Sequence, residues 1–203
     1  MSETTLSGYR VLAIVTNYGV EQDELVVPVE HLRERGATVV VAAASRDVIQ
    51  TLVGDKDPGR TVQPDATFGD AGSDFDLLLI PGGTLNADAL RLESGAVDTV
   101  RSFASSGRPV AAICHGPWAL AEAGVVEGRT VTSYPSLRTD LRNAGADHLS
   151  WAEARAFSTA GRKSSRSSGV REVTRVNGPP SSIETDWSTQ VAPALRRSVR
   201  SDA

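Results

Sequence analysis

The chain has 203 residues, of which 40% are hydrophobic and 23% are charged, and these proportions are typical of one soluble globular domain with its own core. Its single cysteine excludes an internal disulfide and predicts a reducing, cytoplasmic setting. The apolar run at residues 11–15 is too short to be a signal peptide or a membrane span. Because no CxxC, HExxH or P-loop motif accompanies the three scattered histidines, we expect neither a metal ion nor a cofactor.

The net charge of −4 hides an asymmetry along the chain. Residues 1–150 carry 12 basic and 20 acidic residues, whereas residues 151–203 carry 9 basic and 5 acidic residues. A basic segment can bind nucleic acid. In this segment the arginines alternate with serine and glycine, without a pattern of aromatic residues that could stack on bases. Nucleic-acid binding is therefore not expected.

Strand and helix patterns alternate over residues 1–150. Residues 10–15 (RVLAIV) are typical of a buried parallel strand. Residues 23–35 have the apolar spacing of an amphipathic helix. Further strands are predicted at residues 38–43, 76–80, 109–113 and 130–133, further helices at 95–106, 117–123 and 136–144, and a small β excursion within 44–75. Strands alternating with helices predict a doubly wound, flavodoxin-like α/β domain with a parallel sheet.

The pattern changes after residue 150. Residues 151–203 are rich in Ser, Arg, Gly and Pro and show little strand or helix periodicity. Over residues 159–182 too little apolar surface is available to offset the entropy of ordering the chain. We therefore expect an α/β domain at residues 1–150 and a divergent or poorly ordered segment at residues 151–203.

Three segments are expected to meet at the carboxyl ends of the strands, where open α/β sheets bind ligands. They are the loop at residues 17–24, the turn of Gly82 and Gly83, and the turn at Cys114. A cysteine on a strand-to-helix elbow lies near a helix N-terminus, whose positive end favours a thiolate. We therefore predict that the pKa of the Cys114 thiol is depressed and that Cys114 is a nucleophile.

Each of these residues also has a simpler interpretation. Most free cysteines are small buried hydrophobic residues, glycine pairs often only form turns, and a glutamate at a helix start is usually exposed. In the functional interpretation, backbone N–H groups of Gly82, Gly83 and His115 form an oxyanion hole, and Glu21 shares a proton with the Cys114 sulfur. The side chain of His115 can point away from that sulfur, because neighbours on a tight turn often diverge.

The segments 10–39, 76–97 and 111–146 (AAICHGPWALAEAGVVEGRTVTSYPSLRTDLRNAGA) together resemble the PfpI-type branch of the ThiJ/PfpI superfamily. The resemblance implies a fold similar to that of class I glutamine amidotransferases. It implies Cys114 as nucleophile, His115 as catalytic histidine, Glu21 as the glutamate bonded to the cysteine, and an oxyanion-binding turn. It also implies an acidic residue supplied by a neighbouring subunit, for which Asp88 is the candidate, and hence a homo-oligomer of two or more chains.

The family resemblance implies several activities, all of which use a thiolate that attacks an electrophilic carbon. Our leading hypothesis is a cysteine-dependent hydrolase with glyoxalase-like or deglycase-like chemistry on reactive carbonyls or their adducts in stress defence. The alternatives are an intracellular cysteine peptidase and a non-enzymatic redox sensor or chaperone that uses Cys114. The chain departs from the family pattern after residue 146, where the usual two closing strands are replaced by the Ser/Arg-rich segment.

Overall fold

The structure is a computed structural model that describes residues 5–150. Its strands are β1 (Arg10–Ile14), β2 (Tyr18–Glu21), β3 (Thr38–Ala43), β4 (Ile49–Val53), β5 (Asp57–Val62), β6 (Ala66–Thr67), β7 (Leu77–Ile80), β8 (Val110–Ala112), β9 (Thr130–Val131) and β10 (Asp147–His148). Its helices are α1 (Gln22–Glu34), α2 (Thr84–Leu90), α3 (Ser94–Ser105), α4 (Pro117–Glu122) and α5 (Arg138–Asn143), with a 3-10 turn at Pro135–Leu137 before α5.

A five-stranded parallel sheet forms the centre, in the order β6–β3–β1–β7–β8. The middle strand β1 pairs on both sides, so that Val11 lies opposite Val39 on one side and Leu77 on the other. The short aliphatic runs become strands because parallel sheets are covered on both faces and exclude water from their backbone. The predicted doubly wound parallel fold is confirmed, with β1, β3, β7 and β8 at the predicted places.

Alternate residues of each strand face opposite layers of the core, as the two-residue period of a strand requires. Val11 and Ala13 of β1 lie in the core on the side of α1, which buries Leu25, Val29 and Leu32 there. The core on the other face combines strand residues with side chains of α3, α4 and α5, namely Leu12, Ile14, Val97, Val100, Phe103, Leu120 and Leu141. Burial on both faces holds the carboxyl ends of β1, β7 and β8 side by side.

The mixed segment at residues 44–75 forms more structure than the predicted excursion. Strands β4 and β5 form an antiparallel hairpin, and β2 joins β4 to make a second sheet in the order β2–β4–β5. The sequence did not predict β2 or α2, because four and seven residues are too few to show a clear period. These two short elements flank the predicted site: β2 leads directly into α1, and α2 begins after the Gly82-Gly83 turn.

The predicted segment at residues 151–203 lies outside the described residues, together with the expected lack of two closing strands. Within residues 5–150, none of the helices combines the length and the apolar character that crossing a bilayer requires.

Candidate active site

Cys114 lies in the turn between β8 and α4 and has a backbone conformation that only glycine adopts freely. Its φ of 55° is in the left-handed region, which costs a residue with a side chain about 1–2 kcal/mol. Close packing around the turn holds this conformation: Gly116 donates a backbone hydrogen bond of 2.7 Å to Ile113, and the carbonyl of Cys114 accepts one of 2.8 Å from Tyr134. A side chain at Gly116 would collide with the carbonyls of Ile80 and Ile113. The elbow therefore combines a strained backbone at Cys114 with hydrogen bonds and close contacts that stabilise it.

The side chain of His115 lies beside the sulfur rather than pointing away from it. Its Nδ1 is 3.2 Å from the Sγ of Cys114, and its Nε2 is 3.3 Å from the Oγ of Ser136. The imidazole stacks on the ring of Tyr134 with 4.6 Å between centroids. Both the cysteine and the histidine are buried, with 7% and 5% of their surface exposed. Cys114 and His115 thus form a buried pair whose ring orientation is held from two sides.

Glu24 supplies the carboxyl group nearest the sulfur. Its Oε2 accepts a 2.8 Å hydrogen bond from the backbone N–H of Gly82, and the same carboxyl group is hydrogen-bonded to Cys114. Only 3% of Glu24 is exposed. The residue lies on the buried face of α1, four residues before Pro28 and eight before Leu32, which is the spacing of one helix stripe.

The prediction that Glu21 contacts the Cys114 sulfur is wrong. Glu21 is the last residue of β2, and both of its carboxylate oxygens accept hydrogen bonds from the β4–β5 turn, at 3.1 Å from Gly54 N–H and 3.0 Å from Asp55 N–H. Glu21 pairs with Leu52 near the end of β4, so its carboxylate lies beside the turn that follows β4. Three residues later, the first turn of α1 places Glu24 on the buried face of the helix. A carboxylate within the apolar stripe of a helix was the sequence signal that could have identified Glu24.

The β4–β5 turn that is hydrogen-bonded to Glu21 is also joined to the start of α2. The carboxylate of Asp55 accepts hydrogen bonds of 2.7 Å from the N–H and 2.8 Å from the Oγ1 of Thr84. Asp55 itself has a φ of 58°. Glu21 therefore has a bracing role: it holds the hairpin turn that caps the helix following the two glycines.

The Gly82-Gly83 turn approaches the cysteine so closely that no side chain fits there. A Cβ on Gly82 would lie 2.5 Å from the Oε2 of Glu24, 2.8 Å from the Cβ of Cys114 and 2.8 Å from the backbone nitrogen of His115. Gly83 has a φ of 83° and packs against the backbone of the segment between Gly19 and Glu21. The predicted oxyanion-binding groups of Gly82, Gly83 and His115 are thus gathered at one place, and their role stays a prediction.

Burial decides the protonation of the three ionisable groups. It raises the pKa of Glu24 to about 8, against which the Gly82 hydrogen bond acts only in part. Burial also raises the pKa of the Cys114 thiol, and the negative charge of an ionised Glu24 raises it further. Burial lowers the pKa of His115, so that its imidazole is neutral at pH 7. The predicted depression of the thiol pKa is therefore wrong, because loss of hydration outweighs the hydrogen bond from the backbone N–H of His115.

Asp88 does not reach the cysteine of its own chain. It forms an exposed ion pair with Arg91, whose guanidinium also lies 4.7 Å from the centre of the Trp118 ring. Asp88 lines an open cleft of about 560 Å³ beside the ends of β1 and β3, together with Thr16, Asn17, Tyr18, Ala44, Leu85, Ala89, Leu92 and Glu93. Its predicted contribution to the active site of a neighbouring subunit stays a prediction.

The arrangement is suited to nucleophilic chemistry with a general base. The neutral Nδ1 of His115 can accept the thiol proton as the sulfur attacks, and the neutral carboxyl of Glu24 can donate a proton nearby. Within residues 5–150 no group of three His, Cys, Asp or Glu side chains is arranged to hold a metal ion.

Known proteins resemble this chain in both sequence and fold. A protein of Pyrococcus abyssi named a deglycase is 42% identical over 135 residues, which are 66% of this chain and 76% of the relative. A Bacillus subtilis protein named a putative cysteine protease, YraA, is 36% identical over 138 residues, 68% of this chain and 79% of that protein. The crystal structure of Drosophila melanogaster DJ-1beta superposes with a TM-score of 0.68 and 27% identity, covering 95% of this chain and 89% of that one.

The family itself is settled by a longer match. The model of the DJ-1/PfpI family matches residues 9–167, a range that contains the whole sheet, the glycine turn and the cysteine elbow. The resemblance seen in the sequence is confirmed, and the chain belongs to the DJ-1/PfpI family.

Proposed function

We propose that this protein is a cysteine-dependent hydrolase of reactive carbonyls and their adducts, with Cys114 as nucleophile, His115 as base and Glu24 as proton donor. The observation that carries the proposal is the left-handed cysteine, with a neutral imidazole nitrogen 3.2 Å from its sulfur. The deglycase name of the Pyrococcus abyssi relative supports the substrate class.

The first step is addition of the sulfur to an aldehyde carbon. The thiol proton passes to Nδ1 of His115 as the C–S bond forms, and the π electrons of the carbonyl move to its oxygen. The backbone N–H groups of Gly83 and His115 stabilise that oxygen, and Glu24 supplies the proton that converts it to a hydroxyl. The product is a hemithioacetal, formed without a charge left on the oxygen.

For methylglyoxal the hemithioacetal carbon carries a hydrogen next to a ketone. The Glu24 carboxylate left by the first step removes that proton while the protonated His115 gives its proton to the ketone oxygen, which forms an enediol. Glu24 then protonates the neighbouring carbon, and His115 takes the proton of the first hydroxyl, which gives the thioester of lactate. Water then cleaves the thioester, so that methylglyoxal and one water become lactate and one proton, the thiol is restored, and the proton on His115 returns to Glu24. No external oxidant or reductant enters the balance.

The burial of the sulfur favours small substrates over extended peptides. Only 7% of Cys114 is exposed, and a small aldehyde or a single adducted side chain needs less room than a polypeptide on both sides of a scissile bond. A cysteine peptidase is the second candidate, supported by the Cys–His pair and by the name of the Bacillus subtilis relative. Removal of reactive carbonyls in the cytoplasm would serve stress defence.

We extend the proposal to assembly. In a homo-oligomer, Asp88 of the partner subunit would approach the site from outside, since Asp88 lies exposed beside the apolar side chains of Leu85 and Leu92. A monomer in light scattering that is fully active would remove this part and leave the chemistry of Cys114 intact.

Lactate release from methylglyoxal tests the central proposal. We expect turnover by the native protein and a loss of at least about a thousandfold in Cys114→Ala, since the nucleophile is removed. Cleavage of a casein substrate without lactate release would favour the peptidase. Neither activity, with ready oxidation of the Cys114 thiol, would favour the redox sensor and overturn the hydrolase.

A further inference from the structure

Asn86, in the first half of α2, is the fully buried polar residue that holds the glycine turn from behind. Its exposure is 0%. Its Oδ1 accepts a 2.7 Å hydrogen bond from the backbone N–H of Thr16, and its Nδ2 donates to the carbonyls of Gly82 at 2.9 Å and Pro81 at 3.3 Å. The donor at Thr16 requires the amide oxygen on that side, which leaves the nitrogen for the two carbonyls.

These bonds decide which way one peptide plane faces. The carbonyl of Gly82 and the N–H of Gly83 belong to the same planar peptide group, which is trans, and they therefore point in opposite directions. Holding the carbonyl toward Asn86 turns the Gly83 N–H away from α2. Among residues 5–150, no group accepts a hydrogen bond from the Gly83 N–H.

The same residue, Gly82, is held on its other side by the active site. Its own N–H donates to Glu24, while its carbonyl accepts from Asn86. Glycine has little intrinsic preference among backbone conformations, so two successive glycines do not maintain one orientation by themselves. External hydrogen bonds at both ends of the Gly82 residue are therefore needed to keep the turn in a single state.

We propose that Asn86 is a positioning residue, which orients the Gly82–Gly83 peptide so that the Gly83 N–H can stabilise the oxyanion formed when Cys114 attacks a carbonyl. This inference rests on the proposed function, because the oxyanion forms only in the proposed reaction. It assigns a role to a residue that does not touch the substrate. It acts through one backbone N–H and leaves the thiol itself unchanged.

Two reactions of the single cysteine separate this role from a general loss of structure. Alkylation of Cys114 by iodoacetamide requires the sulfur but forms no oxyanion on a carbonyl. Reversible addition of propanal requires the sulfur and forms a tetrahedral adduct at the oxyanion position. Because the chain contains one cysteine, the protection of the thiol by propanal against iodoacetamide measures the affinity of this adduct directly.

Asn86→Asp keeps the shape and the acceptor for Thr16 but replaces the two N–H donors with at most one O–H, and Asn86→Ser is a smaller second variant. We expect the propanal adduct to weaken by up to about tenfold in both, because the adduct oxygen loses one hydrogen bond, with the alkylation rate within about twofold of the native rate. Lactate release should fall in kcat by a similar factor, with little change in KM.

Asn17→Asp is the matched control. Asn17 accepts a 2.9 Å hydrogen bond from the backbone N–H of Ser45 and donates to the carbonyls of Ser45 and Asp47. It has the same bonding pattern at the same end of the sheet, but it holds a different loop. Its replacement should leave propanal affinity and alkylation unchanged.

Folded Asn86 variants with native propanal affinity would overturn the inference, as would equal losses of adduct and alkylation, or a native protein that forms no adduct. Native adduct formation without lactate release would remove the proposed function and leave the role of Asn86 standing. Should both variants fail to fold, the NMR shift of the Gly83 amide on propanal addition decides the matter in the native protein. A large shift supports the inference and an unmoved resonance contradicts it.

Discussion

Two neighbouring strand-to-helix turns lie at the carboxyl end of the sheet and contribute different parts of the site. The turn after β7 contains Gly82 and Gly83 and presents only backbone to its neighbours, because any Cβ at Gly82 would meet three groups of the site. The turn after β8 presents a side chain, and Cys114 adopts a φ of 55° to do so. The first turn needs a residue without a side chain at Gly82, whereas the second keeps the side chain of Cys114 at the cost of backbone strain.

The difference shows how the same sheet position can bind charge or supply a nucleophile. Where the backbone must approach closely, as at Gly82, its N–H can donate directly to a group of the site, here the carboxyl of Glu24. Where a side chain must stand above the sheet, as at Cys114, the chain accepts a left-handed residue and stabilises it with hydrogen bonds, such as that from Tyr134 before the 3-10 turn.

The largest effect should follow Gly82→Ala. The new methyl group would lie within 2.8 Å of the Glu24 carboxyl oxygen, the Cys114 Cβ and the His115 nitrogen, and two of these three atoms belong to the opposing elbow. We expect lactate release to fall by at least about a hundredfold and stability to fall by about 3 kcal/mol, measured by denaturant unfolding. Gly69→Ala, where the nearest atom is 4.0 Å away, should lower neither lactate release nor stability.

A smaller effect should come from Glu24→Gln, which tests the burial of the carboxyl between the two turns. The pKa of Glu24 is raised to about 8 in the fold, so the folded state holds a proton that the unfolded state releases near the ordinary glutamate pKa. The associated stability is therefore complete below about pH 4.5 and is lost as the pH rises toward 8. At about 1.4 kcal/mol per pH unit, the native protein should lose about 2–3 kcal/mol between pH 6 and pH 9.

Glu24→Gln should not show this loss, because its amide has no proton to release. Denaturant midpoints at pH 6 and pH 9 give the comparison, and Glu21→Gln is the control with the same substitution three residues earlier. Iodoacetamide should also react faster with Glu24→Gln than with the native protein above pH 8, since no carboxylate then opposes the thiolate. A native stability that stays level from pH 6 to pH 9 would contradict the buried, protonated Glu24.

The smallest effect concerns the strain at the elbow. Because glycine adopts a φ of 55° without penalty, Cys114→Gly should be more stable than Cys114→Ala by about 1 kcal/mol. At an ordinary strand position the order reverses, and Ala112→Gly in β8 should lose about 0.5–1 kcal/mol. Thermal unfolding of the three variants makes the comparison, and an alanine variant at position 114 that is the more stable one would show that the elbow is unstrained.

Local sequence determined the fold and the location of the site. The aliphatic runs that became β1, β3, β7 and β8 are short and apolar on both faces, which only a covered parallel sheet accommodates. The carboxyl ends of such strands meet at one edge, so the elbow of Cys114 and the turn of Gly82 were expected to lie together. Short-range patterns were sufficient because burial acts on every residue of these strands.

Tertiary structure alone decided which acid lies beside the sulfur, how the site is protonated and what holds the turn. Glu21 and Glu24 are three residues apart, and only the packing of α1 on the sheet buries one of them while β2 directs the other to the hairpin. The raised pKa of the Cys114 thiol reflects loss of water around it, which depends on all the surrounding elements. Asn86 meets Thr16 across 70 residues of chain, and no local period can predict a contact that exists only after the sheet has formed.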